Sequence, residues 1–246
     1  MKIERFKKKK NGIYEISLSD GRIIELYEEI ILKYDLLIKK NIDDNILESI
    51  INDNKYYEFY YIALKFIKVR RRSVKEVSDK LTNICCSSNI RFDILNKLIF
   101  QNYLNDSEYT SCFVNNQIIT TNRGPLKIKS ELLKKGIEES IIDDALIQYD
   151  SNIQREKLNK IIGRLIRNNK TRSNHALKRK IFNDLLLLGF TAEDISSVYD
   201  NFTITSDEDI KKKEYDKIYN KLSRKYSGKE LDLKVKEKMF QKGFYN

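Results

Sequence analysis

Lys157, Lys160, Arg164 and Arg167 recur at spacings of three, four and three residues, which on an α-helix brings four cations to one face. Leu158, Ile161, Ile162 and Leu165 fall on the other side, so the segment reads as a packed helix with a basic stripe. The chemistry of such a stripe is electrostatic: it neutralises rows of phosphates or carboxylates. Residues 155–180 hold ten Lys and Arg, including Arg172, Lys178 and Arg179, against the single acid Glu156. A second cluster, Lys65, Lys68, Arg70, Arg71, Arg72 and Lys75, closes an earlier helix, and Arg123 and Lys127 stand at the matching turn of a later segment. A solvated face accounts for any one of these residues, but the one-signed clusters together call for a polyanionic partner. Reversing all four charges of the stripe is expected to spare folding, because its apolar face is untouched.

Residue sets for bond-making chemistry are missing. His175 is the only histidine, so neither a multi-histidine metal site nor a Ser-His-Asp triad can be assembled around it, and it is expected to face solvent. Ser227-Gly228-Lys229 lacks the upstream glycine of a phosphate-binding loop. The paired acids Asp143-Asp144 and Asp207 to Asp209 sit at helix ends, where they compensate the helix dipole. Cys85, Cys86 and Cys112 are an odd set without a secretory signal, and are expected as reduced, buried hydrophobes. Neither catalysis nor a cofactor or metal is expected.

What positions the stripe is a helical scaffold. Only one proline and eight glycines interrupt 246 residues, of which 41% are apolar and 34% charged, so long helices are favoured over a multi-turn β fold. The net charge is +11. It is uneven: residues 151–246 carry 22 Lys and Arg against 13 Asp and Glu, whereas 107–150 carry 5 against 7. Met1 to Lys10 is basic but is followed by no apolar core of a signal peptide, and no apolar run reaches the roughly 18 residues of a membrane span. A cytoplasmic monomer with no membrane contact is expected.

Three segments end alike: Leu133 to Ile137, Leu187 to Phe190 and Phe240 to Phe244. Their glycines, Gly136, Gly189 and Gly243, stand 53 and 54 residues apart. A further step of 52 reaches Ile84, where the glycine is absent. A constant period of this size marks stacked helical units. In the clearest unit, helices run over Glu108–Thr120, from Pro125 to Lys135, and over Glu138–Tyr149, with Gly136 as a left-handed cap. Ser73-x-x-Glu76 and Thr191-x-x-Asp194 read as helix starts. The remaining first helices are expected near Lys55–Arg70, Asn152–Asn168 and Glu208–Tyr226. Ahead of these units, Tyr14, Ile16 and Leu18, then Ile24 and Leu26, alternate with polar residues around Ser19-Asp20-Gly21. A three-residue loop with Gly21 left-handed pairs Ile16 with Ile24 and Tyr14 with Leu26.

The expected fold is all-α: tandem three-helix repeats in an elongated array, with a small N-terminal β-hairpin extension. Its segments are 1–50 (hairpin and short helix), 51–106, 107–150 and 151–202 (three-helix repeats 1 to 3), and 203–246 (an incomplete repeat of two helices).

Ala63 to Leu81, Asn105 to Ile118 and Arg123 to Leu146 resemble the RecX family. The likeness is most specific at Arg72-Ser73-x-x-Glu76, Asp106 to Tyr109, and the stretch from Gly124-Pro125 to Lys135-Gly136-Ile137. The chain departs from the family pattern at Asn105-Asp106, where two acids are common, and at Asn83 to Ser88, where a Lys-Gly cap is replaced. The resemblance implies three-helix units lying along the groove of the RecA recombinase filament on single-stranded DNA, suppressing its ATPase, strand-exchange and coprotease activities. On that view Arg70, Arg71, Arg72, Arg123, Lys127, Lys157, Lys160, Arg164, Arg167, Arg172, Lys178 and Arg179 are the candidate contacts to RecA or directly to DNA. The alternative is a basic helical DNA-binding architectural or transcription factor. Preference for RecA-coated over bare DNA separates the two.

Overall fold

The computed structural model describes residues 1–9, 12–199, 202 and 208–244. Asp207 and the boundary drawn at residue 203 therefore lie outside the described residues. The chain forms two compact units, residues 1–109 and 110–246.

The first unit opens with strands β1 (Ile3–Lys8), β2 (Ile13–Leu18) and β3 (Ile23–Tyr27), an antiparallel sheet in that order. Tyr14 pairs with Leu26 and Ile16 with Ile24, as alternation requires. The loop is the three-residue one: Leu18 N–H donates to Arg22 O at 2.9 Å, and Gly21 has φ of 87°. The extension is not a bare hairpin, however, because the lysine-rich N-terminus adds β1. Only Ile3 of β1 is buried, so its sequence lacks the apolar alternation of a two-sided strand. Its charged side chains suit an edge.

Helix α1 (Glu28–Lys33) covers the sheet, burying Ile30 and Ile31 with Ile16, Leu18 and Leu26. Helix α2 begins at Asp44, not near Lys55, and runs to Val69, passing through residue 50. Its first turns place Leu47 and Ile50 in the sheet core, and its second half places Tyr60 and Ala63 in the next one. The Tyr27 ring of β3 stacks on Tyr61 at 4.9 Å between centroids. Helices α3 (Val74–Asn83) and α4 (Ser88–Phe100) complete that core with Val77, Leu81, Ile94 and Leu98. Ser73 caps α3 through a reciprocal box with Glu76.

Helices α5 (Asp106–Thr120), α6 (Pro125–Lys134) and α7 (Glu139–Leu146) form the next triplet, and α8 (Ser151–Arg167), α9 (Asn174–Leu188) and α10 (Ala192–Tyr199) the third. Helices α11 (Glu208–Leu222) and α12 (Gly228–Gln241) follow. None of the described helices is long and apolar enough to cross a membrane.

The second helix of each triplet, and α12, share one plan. Two apolar residues four apart are buried, Val77 and Leu81, Ile128 and Leu132, Ile181 and Leu185, or Val235 and Met239. A backbone bond then closes the end, from Cys86, Ile137, Phe190 or Phe244 back to the last of each pair at 3.1–3.2 Å. The residue before each donor is left-handed: Cys85 (φ 59°), Gly136 (76°), Gly189 (91°) and Gly243 (84°). The missing glycine is thus replaced at Cys85, one residue beyond Ile84. Cys85 is exposed, as is Cys112; of the three cysteines only Cys86 packs as a buried hydrophobe. Left-handed backbone costs a residue with a Cβ about 1–2 kcal/mol, partly offset by the greater unfolded-state freedom of glycine. Cys85→Gly is therefore expected to stabilise by about 0.5–1 kcal/mol, read as a higher urea midpoint at unchanged slope.

Within the second unit the triplets interlock end to end. Gly124 N–H donates to Leu188 O at 2.7 Å and Leu126 N–H to Gly189 O at 3.1 Å. The start of α6 thus takes carbonyls from the end of α9, opposite dipole ends meeting. There is no room for side chains: a Cβ at Gly124 would lie 2.4 Å from Gly189 O, and one at Gly189 would lie 2.4 Å from Lys127 N. At the next joint Gly243 approaches the start of α9 closely, and an added Cβ there would lie 2.7 Å from both Ser173 Oγ and Ala176 Cβ.

Candidate functional site

Helix α8 buries Leu158, Ile161 and Ile162 and exposes Lys160, Arg164 and Arg167 along its outer side. Among the described residues none of these three cations pairs with a carboxylate. They flank a shallow groove of about 540 Å³ whose wall also includes Asn122, Asn159, Gly163 and Phe202. Like charges one turn apart raise the local potential, and an anion entering the groove meets two or three of them together. Arg172 and Arg179 add exposed charge around the start of α9, beside the paired Lys180 and Asp184. Lys178 is exposed and lies over the Tyr199 ring at 5.0 Å. His175 is exposed.

Lys157, the fourth member of the stripe by spacing, has a different role. Its Nζ donates to Thr121 O at 2.8 Å and Gln117 O at 3.4 Å and lies 5.1 Å above the Tyr149 ring. Those carbonyls close α5, so the ammonium caps a negative helix end. Burial pushes its pKa below the ordinary lysine range. Reversal at this position is therefore expected to cost stability, unlike reversal at the other three. Arg123 is also engaged within the fold, bonded to Gln117 at 2.9 Å and Glu131 at 2.8 Å, and Lys127 Nζ reaches Leu187 O at 3.2 Å across the α6–α9 joint. Helical spacing orders side chains around their own axis but does not reveal which carbonyls lie opposite, so these roles were not legible in the sequence.

In the first unit, Arg70, Arg71 and Arg72 follow α2 as a cluster, but acids meet all three. Arg70 pairs with Glu76 at 2.9 Å, Arg71 with Glu108, and Arg72 with Glu76 at 3.8 Å. Arg72 is largely enclosed, its guanidinium 3.8 Å from the Phe66 ring centroid, and burial, helped by Arg70, lowers its pKa. Arg71 and Arg72 border a depression of about 250 Å³ together with Tyr103 and Glu108. Three guanidiniums against Glu76 and Glu108 make a weaker field than the sequence cluster suggests. Asp106 accepts from Val74 N–H at 2.9 Å, joining the starts of α3 and α5, and burial raises its pKa. Among the described residues no group of three or more His, Cys, Asp or Glu could hold a metal ion.

Comparison with known proteins covers nearly the whole chain. Residues 105–146 match the family model described as RecX, second three-helix domain. The chain is 31% identical over 252 residues to a regulatory protein RecX of Streptococcus equi subsp. zooepidemicus, across 99% of this chain and 95% of that one. It is 29% identical over 240 residues to that of Bacillus subtilis, across 96% and 91%. A crystal structure of regulatory protein RecX superposes with a TM-score of 0.71 at 27% identity, over 81% of this chain and 99% of the other.

Proposed function

Since the chain belongs to the RecX family, we propose that it acts as a regulator by binding the RecA recombinase filament on single-stranded DNA and restraining its ATPase, strand-exchange and coprotease activities. The exposed, unneutralised cations Lys160, Arg164 and Arg167 on α8 carry this reading. They form one face with the charge and spacing to engage a polyanionic groove, supplemented by Arg172 and Arg179. Lys157, Arg123 and Lys127 are assigned to holding that face and the α6–α9 joint in place, and Arg72 to the first unit, where it meets Glu76 and Phe66. The protein works as a monomer in the cytoplasm, in DNA repair and the SOS response.

The test is a titration of RecA ATPase on single-stranded DNA, run beside direct binding to bare and RecA-coated DNA at about 150 mM salt. Inhibition should saturate. Coated DNA should be bound at least about tenfold more tightly than bare DNA, because purely electrostatic attachment to phosphates weakens steeply with salt whereas a protein groove adds contacts that do not. Equal affinity for the two, with no effect on ATPase, would instead identify a general DNA-binding protein.

A further inference from the structure

In the second triplet, one lysine of α6 bridges to two acids of α7. Lys129 Nζ lies 2.6 Å from Glu139 and 2.7 Å from Asp143, carboxylates one turn apart on α7. On the adjoining face Ile128 and Leu132 are buried, as are Ile142 and Ala145 of α7. The left-handed glycines Gly136 and Gly243 put α6 and α12 in register. Val235 then stands for Ile128, Met239 for Leu132, and Lys236 for Lys129.

On α12 that same face borders a groove of about 570 Å³, with Tyr215 of α11 on the opposite wall, 43% exposed, and with Lys211 and Asp232 as the other charged groups of its lining besides Lys236. Lys236 is exposed at its edge and, among the described residues, pairs with no carboxylate. The counterpart of the lysine that bridges two acids in the second triplet is here presented to solvent, beside the exposed rings of Tyr215 and Phe240.

We propose that the α11–α12 groove docks a short amphipathic helix of a partner protein, one carrying two acids a turn apart, in the way α6 receives α7. Lys236 takes the two carboxylates, and the exposed rings of Tyr215 and Phe240 supply the apolar surface for the incoming helix above the already buried Val235 and Met239. The chemistry of the occupant follows from this chain's own α7, whose Glu139 and Asp143, one turn apart, both meet Lys129. The site is separate from the basic face of α8, so it stands or falls independently of the reading above.

The probe is a fluorescein-labelled peptide with the sequence of residues 137–148, this chain's own α7, titrated by anisotropy into the full-length protein. Saturable binding is expected. K236E should weaken it about tenfold, as loss of one charge-assisted contact does, and Tyr215→Glu should weaken it by removing the apolar wall. A peptide carrying Glu139→Lys and Asp143→Lys should prefer K236E over wild type. Both protein variants change exposed side chains, so their circular dichroism should match wild type. No saturable binding, equal affinity for wild type and K236E, or no preference by the swapped peptide would each overturn the proposal.

Discussion

Reversal of Lys160, Arg164 and Arg167 to glutamate together is expected to weaken inhibition of RecA ATPase by more than tenfold while leaving the protein folded. Each side chain is exposed and unpaired among the described residues, and surface substitutions of this kind cost within about 0.5 kcal/mol each. The melting temperature should therefore fall by no more than roughly 5 °C. The effect on binding is larger because each reversal replaces attraction by repulsion at the same point of a one-signed face. Adding Lys157→Glu separates the two roles. That change removes the cap on Thr121 O and Gln117 O and sets a carboxylate against a helix C-terminus, a further loss of about 1–3 kcal/mol. The quadruple variant should thus melt clearly lower with little additional loss of inhibition. Lys134→Glu, on acidic residues 107–150, is the control and should inhibit nearly as wild type. A triple variant that folds and inhibits like wild type would reduce the stripe to a solvated face.

Gly189→Ala is expected to destabilise by more than about 3 kcal/mol, a fall in melting temperature of roughly 6–12 °C. Two costs add. The left-handed backbone, φ 91°, charges any Cβ about 1–2 kcal/mol. The new methyl would also lie 2.4 Å from Lys127 N and 2.6 Å from Lys127 Cβ, so α6 must move away from α9 and strain both backbone bonds of the joint. Gly21→Ala isolates the first cost: its φ is 87° but nothing lies within 4 Å of the added Cβ, so about 1 kcal/mol is expected. Equal losses at the two glycines, measured by thermal and urea unfolding, would show that close approach at the joint contributes nothing.

Both glycines were visible in the sequence, but for one reason each. Gly21 follows from the alternation of Tyr14, Ile16, Ile24 and Leu26, which fixes pairing and hence the loop. Gly189 follows from its period with Gly136 and Gly243, which announces a helix cap. Its second duty, letting α6 approach α9, depends on residues some sixty positions apart and has no local signal. The same limit hid β1, whose lysines mask an edge strand with one buried residue, and the first turns of α2, whose Leu47 and Ile50 serve a different core from Tyr60 and Ala63. At Cys85 the cap geometry persists without the residue type that advertises it. The acids Glu76 and Glu108 were plain in the sequence, yet that they meet Arg70 to Arg72 follows only from how α3 and α5 begin.

The joint between α6 and α9 also sets an order on synthesis. When the ribosome has released the second triplet, the amides of Gly124 and Leu126 still face water, because the carbonyls of Leu188 and Gly189 that accept from them lie some sixty residues downstream. The start of α9 waits in turn for Gly243. The α6 end of the second triplet is thus completed only by the triplet that follows it, so a chain released before residue 189 leaves two α6 amides facing water.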